Sequence, residues 1–126
     1  MKVEIDFGKM QGLAPAIIQD GNGEVLMLGF MNREAWERTL ATGYVTFFSR
    51  TRNQLWMKGE TSGNRLRLMR ATTDCDRDTL LLEVKVEGDG LVCHEGTRSC
   101  FTKKILAPEA GSEGDGGRAA SGAVRS

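Results

Sequence analysis

The chain has little of what several functional classes require. No segment approaches the roughly 18 consecutive apolar residues of a membrane span, and the opening MKVEIDFGKM has no apolar run of the signal-peptide kind. Both absences predict a cytoplasmic protein with no membrane partner. Excess charge of one sign is also missing: seventeen Lys and Arg balance seventeen Asp and Glu. Without a basic field, no nucleic-acid partner is expected. No cysteines are paired as C-x2-C, so a structural zinc ribbon is excluded. The H-x-E…P-C-x-x-C signature of zinc nucleobase deaminases is absent, and no acidic stretch has the glycine and distal glutamate of an EF-hand loop. There is no internal repeat.

What remains fits one domain. At 126 residues and 40% hydrophobic the chain can bury a real core. From Ala107 the composition shifts to Gly, Ala and Ser, which cannot bury enough surface to offset ordering entropy. The reading is a working domain over residues 1–106 and a disordered tail over 107–126. Within the domain most signals are for strands. PAIIQ and EVLMLGF flank DGNG, a turn whose residues tolerate positive φ. YVTFFS and QLWMKGE predict a second hairpin, and TLLLEVKVE with LVCH across GDG a third. NRLRLMR alternates, with Leu66 and Leu68 on one side and Arg65 and Arg67 on the other. One helix is predicted, capped by Asn32, with Glu34 in its first turn, Gly43 at its end, and Trp36 and Leu40 facing the core. The expected fold is mainly β (α+β): antiparallel hairpins forming a barrel-like sheet, with one principal helix.

Two clusters carry chemistry. Cys75, Cys93 and Cys100 form C-x17-C-x6-C. Cytosolic thiols stay reduced, so three of them point to metal or catalysis rather than disulfides. Three ligands on one zinc leave a coordination position open, the arrangement of a catalytic site. Buried structural cysteines are the plainer alternative. If the strand after Cys75 is extended, that thiol lies roughly 30 Å from the level of Cys93 at about 3.3 Å per residue. Either the chain bends sharply near DRD, or Cys75 meets Cys93 and Cys100 of a second copy in a symmetric homodimer. The second cluster, Asp74, Asp76 and Asp78, points one way on an extended chain, while Cys75 and Arg77 point the other. Carboxylates there suit Mg²⁺, and an acidic edge that discourages strand aggregation is the alternative.

Residues 48–70 are basic and glycine-rich. Arg50, Arg52 and Lys58 are candidate phosphate contacts, and the loop with Glu60, Thr61 and Ser62 offers hydroxyls and accessible N–H groups. Arg65 and Arg67 read as a solvated sheet face.

These segments in order, LMLGFMNREA, SRTRNQLWMKGETSGN, DCDRD and CHEGTRSCF, resemble the phosphoribosyl-AMP cyclohydrolase family of histidine biosynthesis. The resemblance covers residues 13–106. It implies a zinc held by Cys75, Cys93 and Cys100 across an obligate homodimer interface, and a Mg²⁺ held by Asp74, Asp76 and Asp78. It implies a metal-dependent hydrolase that opens the adenine ring of 1-(5-phosphoribosyl)-AMP at N1–C6 with a zinc-activated water, the third step of the pathway. His94, the only imidazole, is the expected base. Asn64 departs from the family, where a histidine commonly follows TSG, so that side chain is not expected to be catalytic. The tail is too short and polar for the pyrophosphohydrolase domain fused in some relatives, so a single-activity form is expected. A zinc module docking RNA or protein through the basic face is the rival of a different class.

Overall fold

The structure, a computed structural model, describes residues 3–108. The predicted tail therefore lies outside the described residues beyond position 108. β1 (Ala14–Gln19) and β2 (Val25–Met31) form the first hairpin. Its turn is built by Asp20, whose Oδ1 accepts the N–H groups of Asn22 and Glu24, each at 2.9 Å. α1 (Arg33–Thr42) begins where Asn32 Oδ1 accepts the Ala35 N–H at 2.8 Å and ends at Gly43, at φ 83°. β3 (Thr46–Ser49) and β4 (Gln54–Met57) form the second hairpin, and β5 (Leu66–Thr73) and β6 (Leu80–Val86) a third.

The strands do not close into a barrel. They make a mixed four-stranded sheet in the order β2-β1-β6-β5 and a separate two-stranded sheet of β3 and β4. β6 enters beside β1 in parallel, Ala16 opposite Leu80 through Gln19 opposite Glu83. A parallel pair needs a long crossover rather than a tight turn, and here α1, β3, β4 and β5 supply it. The mainly β fold with one helix stands, and the expected barrel-like sheet of antiparallel hairpins is corrected to a mixed open sheet. Ile18, Leu26, Met31, Leu66, Leu80, Leu82 and Phe47 fill the core, with Trp36, Leu55 and Trp56 packed at its margin. Burying one such leucine contributes about 1.5–3 kcal/mol.

Three further expectations change. Leu40 is 56% exposed; α1 buries Ala35 and Thr39 instead. Thr39 is tolerated there because its hydroxyl donates to Ala35 O at 2.9 Å and accepts the Thr46 N–H at 2.9 Å. LVCH does not pair with β6, since β1 and β5 already occupy both edges of that strand. The chain instead turns on itself: Cys93 N donates to Thr97 O at 3.0 Å. The aspartates are not on an extended strand either. They sit in the β5–β6 turn, where Arg77 N donates to Asp74 O at 3.1 Å and Arg77 has φ 62°. Among the described residues no helix is long and apolar enough to cross a membrane.

Candidate active site

An open cleft of about 1070 Å³ lies between β4, the Gly59–Gly63 loop and the segment after β6. Its walls carry Arg52, Lys58, Glu60, Thr61, Ser62, Cys93 and His94, most of the residues singled out in the sequence. Arg50 is not among them; its guanidinium stacks on the Phe30 ring, 4.1 Å from the centroid. Sequence reasoning missed Leu55 and Trp56, which also line the cleft, as does Asn64. Trp56 is half-buried against Phe47 at 5.2 Å between ring centroids, with the Lys58 ammonium 5.8 Å above it. An aromatic on the short predicted strand QLWMKGE was the available sequence signal.

The cleft is held open by backbone contacts. Gly63 N donates to Gly59 O at 2.8 Å, and Gly59 sits at φ 82° against the Asn64 backbone, where a side chain would not fit. Asn64 braces the facing wall: its Oδ1 accepts the Asp89 N–H at 2.8 Å and its Nδ2 donates to Leu91 O at 3.1 Å. Asn64 therefore has a bracing role toward the segment that leads to Cys93.

The thiols divide two and one. Cys93 and Cys100 are near enough to shift each other's titration. The Cys93 thiol is drawn below its ordinary value by the Glu95 N–H, which points at its Sγ at 3.5 Å, and then by Thr97 and Cys100. Cys100 is pushed up, by burial first and then by the neighbouring Cys93, against the pull of Lys58. Cys75 is exposed and apart from them. Cys100 N is bonded to Leu26 O on β2, whereas Cys75 follows β5, three strands across the sheet and about four residues along it. At ~4.8 Å per strand and ~3.3 Å per residue that is roughly 20 Å. A single chain does not gather the three sulfurs.

The aspartates do converge. Asp74, Asp76 and Asp78 each offer an oxygen within 4.8 Å of the others. Burial pushes Asp74 up, but hydrogen bonds from the Asp78 and Thr79 N–H groups and from its carboxyl neighbours prevail and hold it at about 2. Asp78 is raised, by burial and then by Asp74 and Asp76. Lys9 supplies a counter-charge, its Nζ 3.6 Å from Asp76 Oδ2 and 3.5 Å from Asp78 Oδ2. Oxygen donors this close, drawing an ammonium toward them, fit a hard divalent cation. The Cys93–Cys100 pair fits a soft one, but supplies only two thiolates.

The phosphoribosyl-AMP cyclohydrolase family profile matches residues 27–102. The chain is 50% identical over 108 residues to the phosphoribosyl-AMP cyclohydrolase of Solibacter usitatus, covering 85% of each chain. It is 56% identical over 102 residues to that of Listeria innocua, covering 80% of this chain and 93% of the relative. It is also 56% identical over 107 residues, 84% of this chain, to the histidine biosynthesis bifunctional protein HisIE of Bacteroides thetaiotaomicron, and spans 52% of that relative's length.

Proposed function

The chain belongs to the phosphoribosyl-AMP cyclohydrolase family, and on that footing we propose that it is a metal-dependent hydrolase of histidine biosynthesis that opens the adenine ring of phosphoribosyl-AMP. The observation that carries this reading is the cleft, which sets Arg52, Lys58, Thr61 and Ser62 on the same surface as His94 and Cys93. The substrate is an anionic nucleotide with a flat base. Arg52 and Lys58 bind its phosphates, Arg through a planar fork and Lys as a point charge. The Thr61 and Ser62 hydroxyls donate to the same oxygens. Leu55 and Trp56 give the base an apolar wall, and Glu60 accepts from the ribose hydroxyls.

Bond changes follow from the substrate. Water oxygen bonds to C6, the N1–C6 bond breaks, and a proton moves to the departing nitrogen. His94 takes the proton from water and returns it to N1. Cys93 and Cys100, with Cys75, would hold zinc, which would supply Lewis acidity to make water a nucleophile near neutral pH. Asp74, Asp76 and Asp78 would hold Mg²⁺.

Because one chain keeps Cys75 apart, the working unit in this reading is a homodimer. The outer face of the four-stranded sheet supports it. Leu28, Ile17 and Leu81 form one row across β2, β1 and β6, and Leu28 and Leu81 are 44% and 36% exposed. Two copies packed through that face about a two-fold axis perpendicular to the line from Cys75 to Cys100 would set Cys75 of each against the Cys93–Cys100 pair of the other, making two equivalent sites. The test is direct: the protein, supplied with Zn²⁺ and Mg²⁺, is incubated with phosphoribosyl-AMP, and the ring-opened carboxamide is followed. No turnover would return the binding-module reading to first place.

A further inference from the structure

Arg98 lies between the two thiols that stay together, within CHEGTRSC, but outside the cleft. Its guanidinium spans three acceptors on two segments, the β1–β2 turn and Gly90. Nη2 donates to Asp20 Oδ2 at 2.7 Å, Nε to Glu24 Oε1 at 3.3 Å, and Nη1 to Gly90 O at 3.3 Å. Asp20 is a fixed anchor: its side chain is only 7% exposed, and its other oxygen already caps the β1–β2 turn. A buried carboxylate needs a charged partner, and Arg98 is the one it has. The segment held in this way has no helix or strand of its own between residues 87 and 108. Around Arg98 its attachments to the fold are few: Ser99 Oγ donates to Val25 O at 2.8 Å, and Cys100 N to Leu26 O at 2.7 Å. All lie on the same hairpin that Asp20 closes.

We propose that Arg98, anchored by Asp20, is a positioning residue that fixes the separation of Cys93 and Cys100 and so sets the protein's affinity for zinc. The inference rests on reading those thiols as zinc ligands. Cys100 is placed by β2, whereas Cys93 follows Gly90 around a turn that touches the hairpin only through Arg98 and its neighbours. Arg98 reaches both, one nitrogen on the hairpin and another on Gly90. Asn64 holds this segment at Asp89 and Leu91, but from the facing side of the cleft; without Arg98 the Cys93 turn loses its side-chain tie to the hairpin that carries Cys100, and the order lost has to be restored when the metal binds. Lysine does not replace it, because one ammonium cannot span three acceptors on two segments.

The test is zinc affinity, measured on the full chain by competition with a chromogenic chelator, beside the melting temperature of the metal-free protein. Arg98→Ala should bind zinc ten- to a hundredfold more weakly, the usual cost of losing a group that orients metal ligands. Arg98→Lys should recover only part of that. Asp20→Asn should weaken binding too, and the double variant should bind no worse than Arg98→Ala alone, because the two residues act as one clamp. Ala35→Gly in α1 is the control for a purely structural role: it should lower the melting temperature and leave zinc affinity unchanged. Wild-type affinity in Arg98→Ala, or an equal loss in Ala35→Gly, overturns the proposal. A wild-type protein that takes up no zinc through Cys93 overturns the thiol reading itself, and the proposal with it.

Discussion

Gly59 and Gly63 bracket one loop of the cleft and have nearly the same backbone, φ 82° and 85°. Their surroundings differ. A Cβ on Gly63 meets nothing within 4 Å, whereas a Cβ on Gly59 falls inside contact distance of the Asn64 carbonyl and the Arg65 amide nitrogen. Those atoms are backbone and cannot rotate away. Gly63→Ala should therefore carry only the left-handed penalty, about 1–2 kcal/mol. Gly59→Ala should carry that plus about 1–3 kcal/mol of overpacking, some 2–5 kcal/mol in all. Denaturant unfolding at constant slope reads both losses from the midpoints. Substrate-analogue binding by the folded fraction should fall only in Gly59→Ala, because Asn64 is pushed toward the facing wall. Equal losses in the two variants would show that the loop does not pack on itself as described, and the account of how the cleft stays open would fail.

Other outcomes follow from the same geometry. Mixing Cys75→Ser and Cys100→Ser chains, each inactive alone, should restore about a quarter of wild-type activity, since half of randomly formed dimers are hybrids with one intact site of two; no recovery despite proven subunit exchange rules out the shared site. Asp20→Asn should cost about 1–2 kcal/mol at neutral pH, the lower range for a charge-assisted bond with a part-exposed partner. Hydrogen bonds from Arg98 and then from the turn N–H groups hold the Asp20 carboxyl below its ordinary 3.8. That stability is complete above pH 3.8 and lost as pH falls through the lower folded value. Unfolding midpoints of wild type and variant should thus converge only in strong acid, and a gap that closes nearer neutrality would contradict the assignment. Asn64→Ala gives up its bonds to Asp89 and Leu91 and should lose about 1–2 kcal/mol by the same assay.

Local chemistry was legible wherever it was decided locally. DGNG, Asn32 and Gly43 announce the first hairpin and the helix, because turn and cap preferences act within a few residues. The Leu66/Arg67 alternation shows which face of β5 is buried. Thr39 displaced Leu40 from the core because its hydroxyl found acceptors and a donor supplied partly by β3, a pairing no window on the helix contains. The β1–β6 pair was invisible for the same reason: nothing near Ile17 names Leu81 as its neighbour. That one pairing accounts for two errors, the barrel-like sheet of antiparallel hairpins and the LVCH strand, since it occupies the edge that either would need. At the site, residues singled out in the GETSG loop and the CHEGTRSC segment line one cleft. Arg50 lies outside the cleft lining, and its stacking on Phe30 was not legible because a guanidinium that stacks on a ring looks, in sequence, like one that binds phosphate.

The parallel partnership of β1 and β6 also governs the order in which the molecule can be made. A chain leaving the ribosome delivers β1, β2, α1, β3 and β4 while the inner edge of β1 has no neighbour. That edge waits until Leu80–Val86 has emerged, and until then a bare row of amides and carbonyls is open to any passing strand. Nascent chains stalled before Leu80 should thus be clients of holding chaperones, and the sheet should assemble in one late, concerted step rather than from its N-terminal hairpin outward.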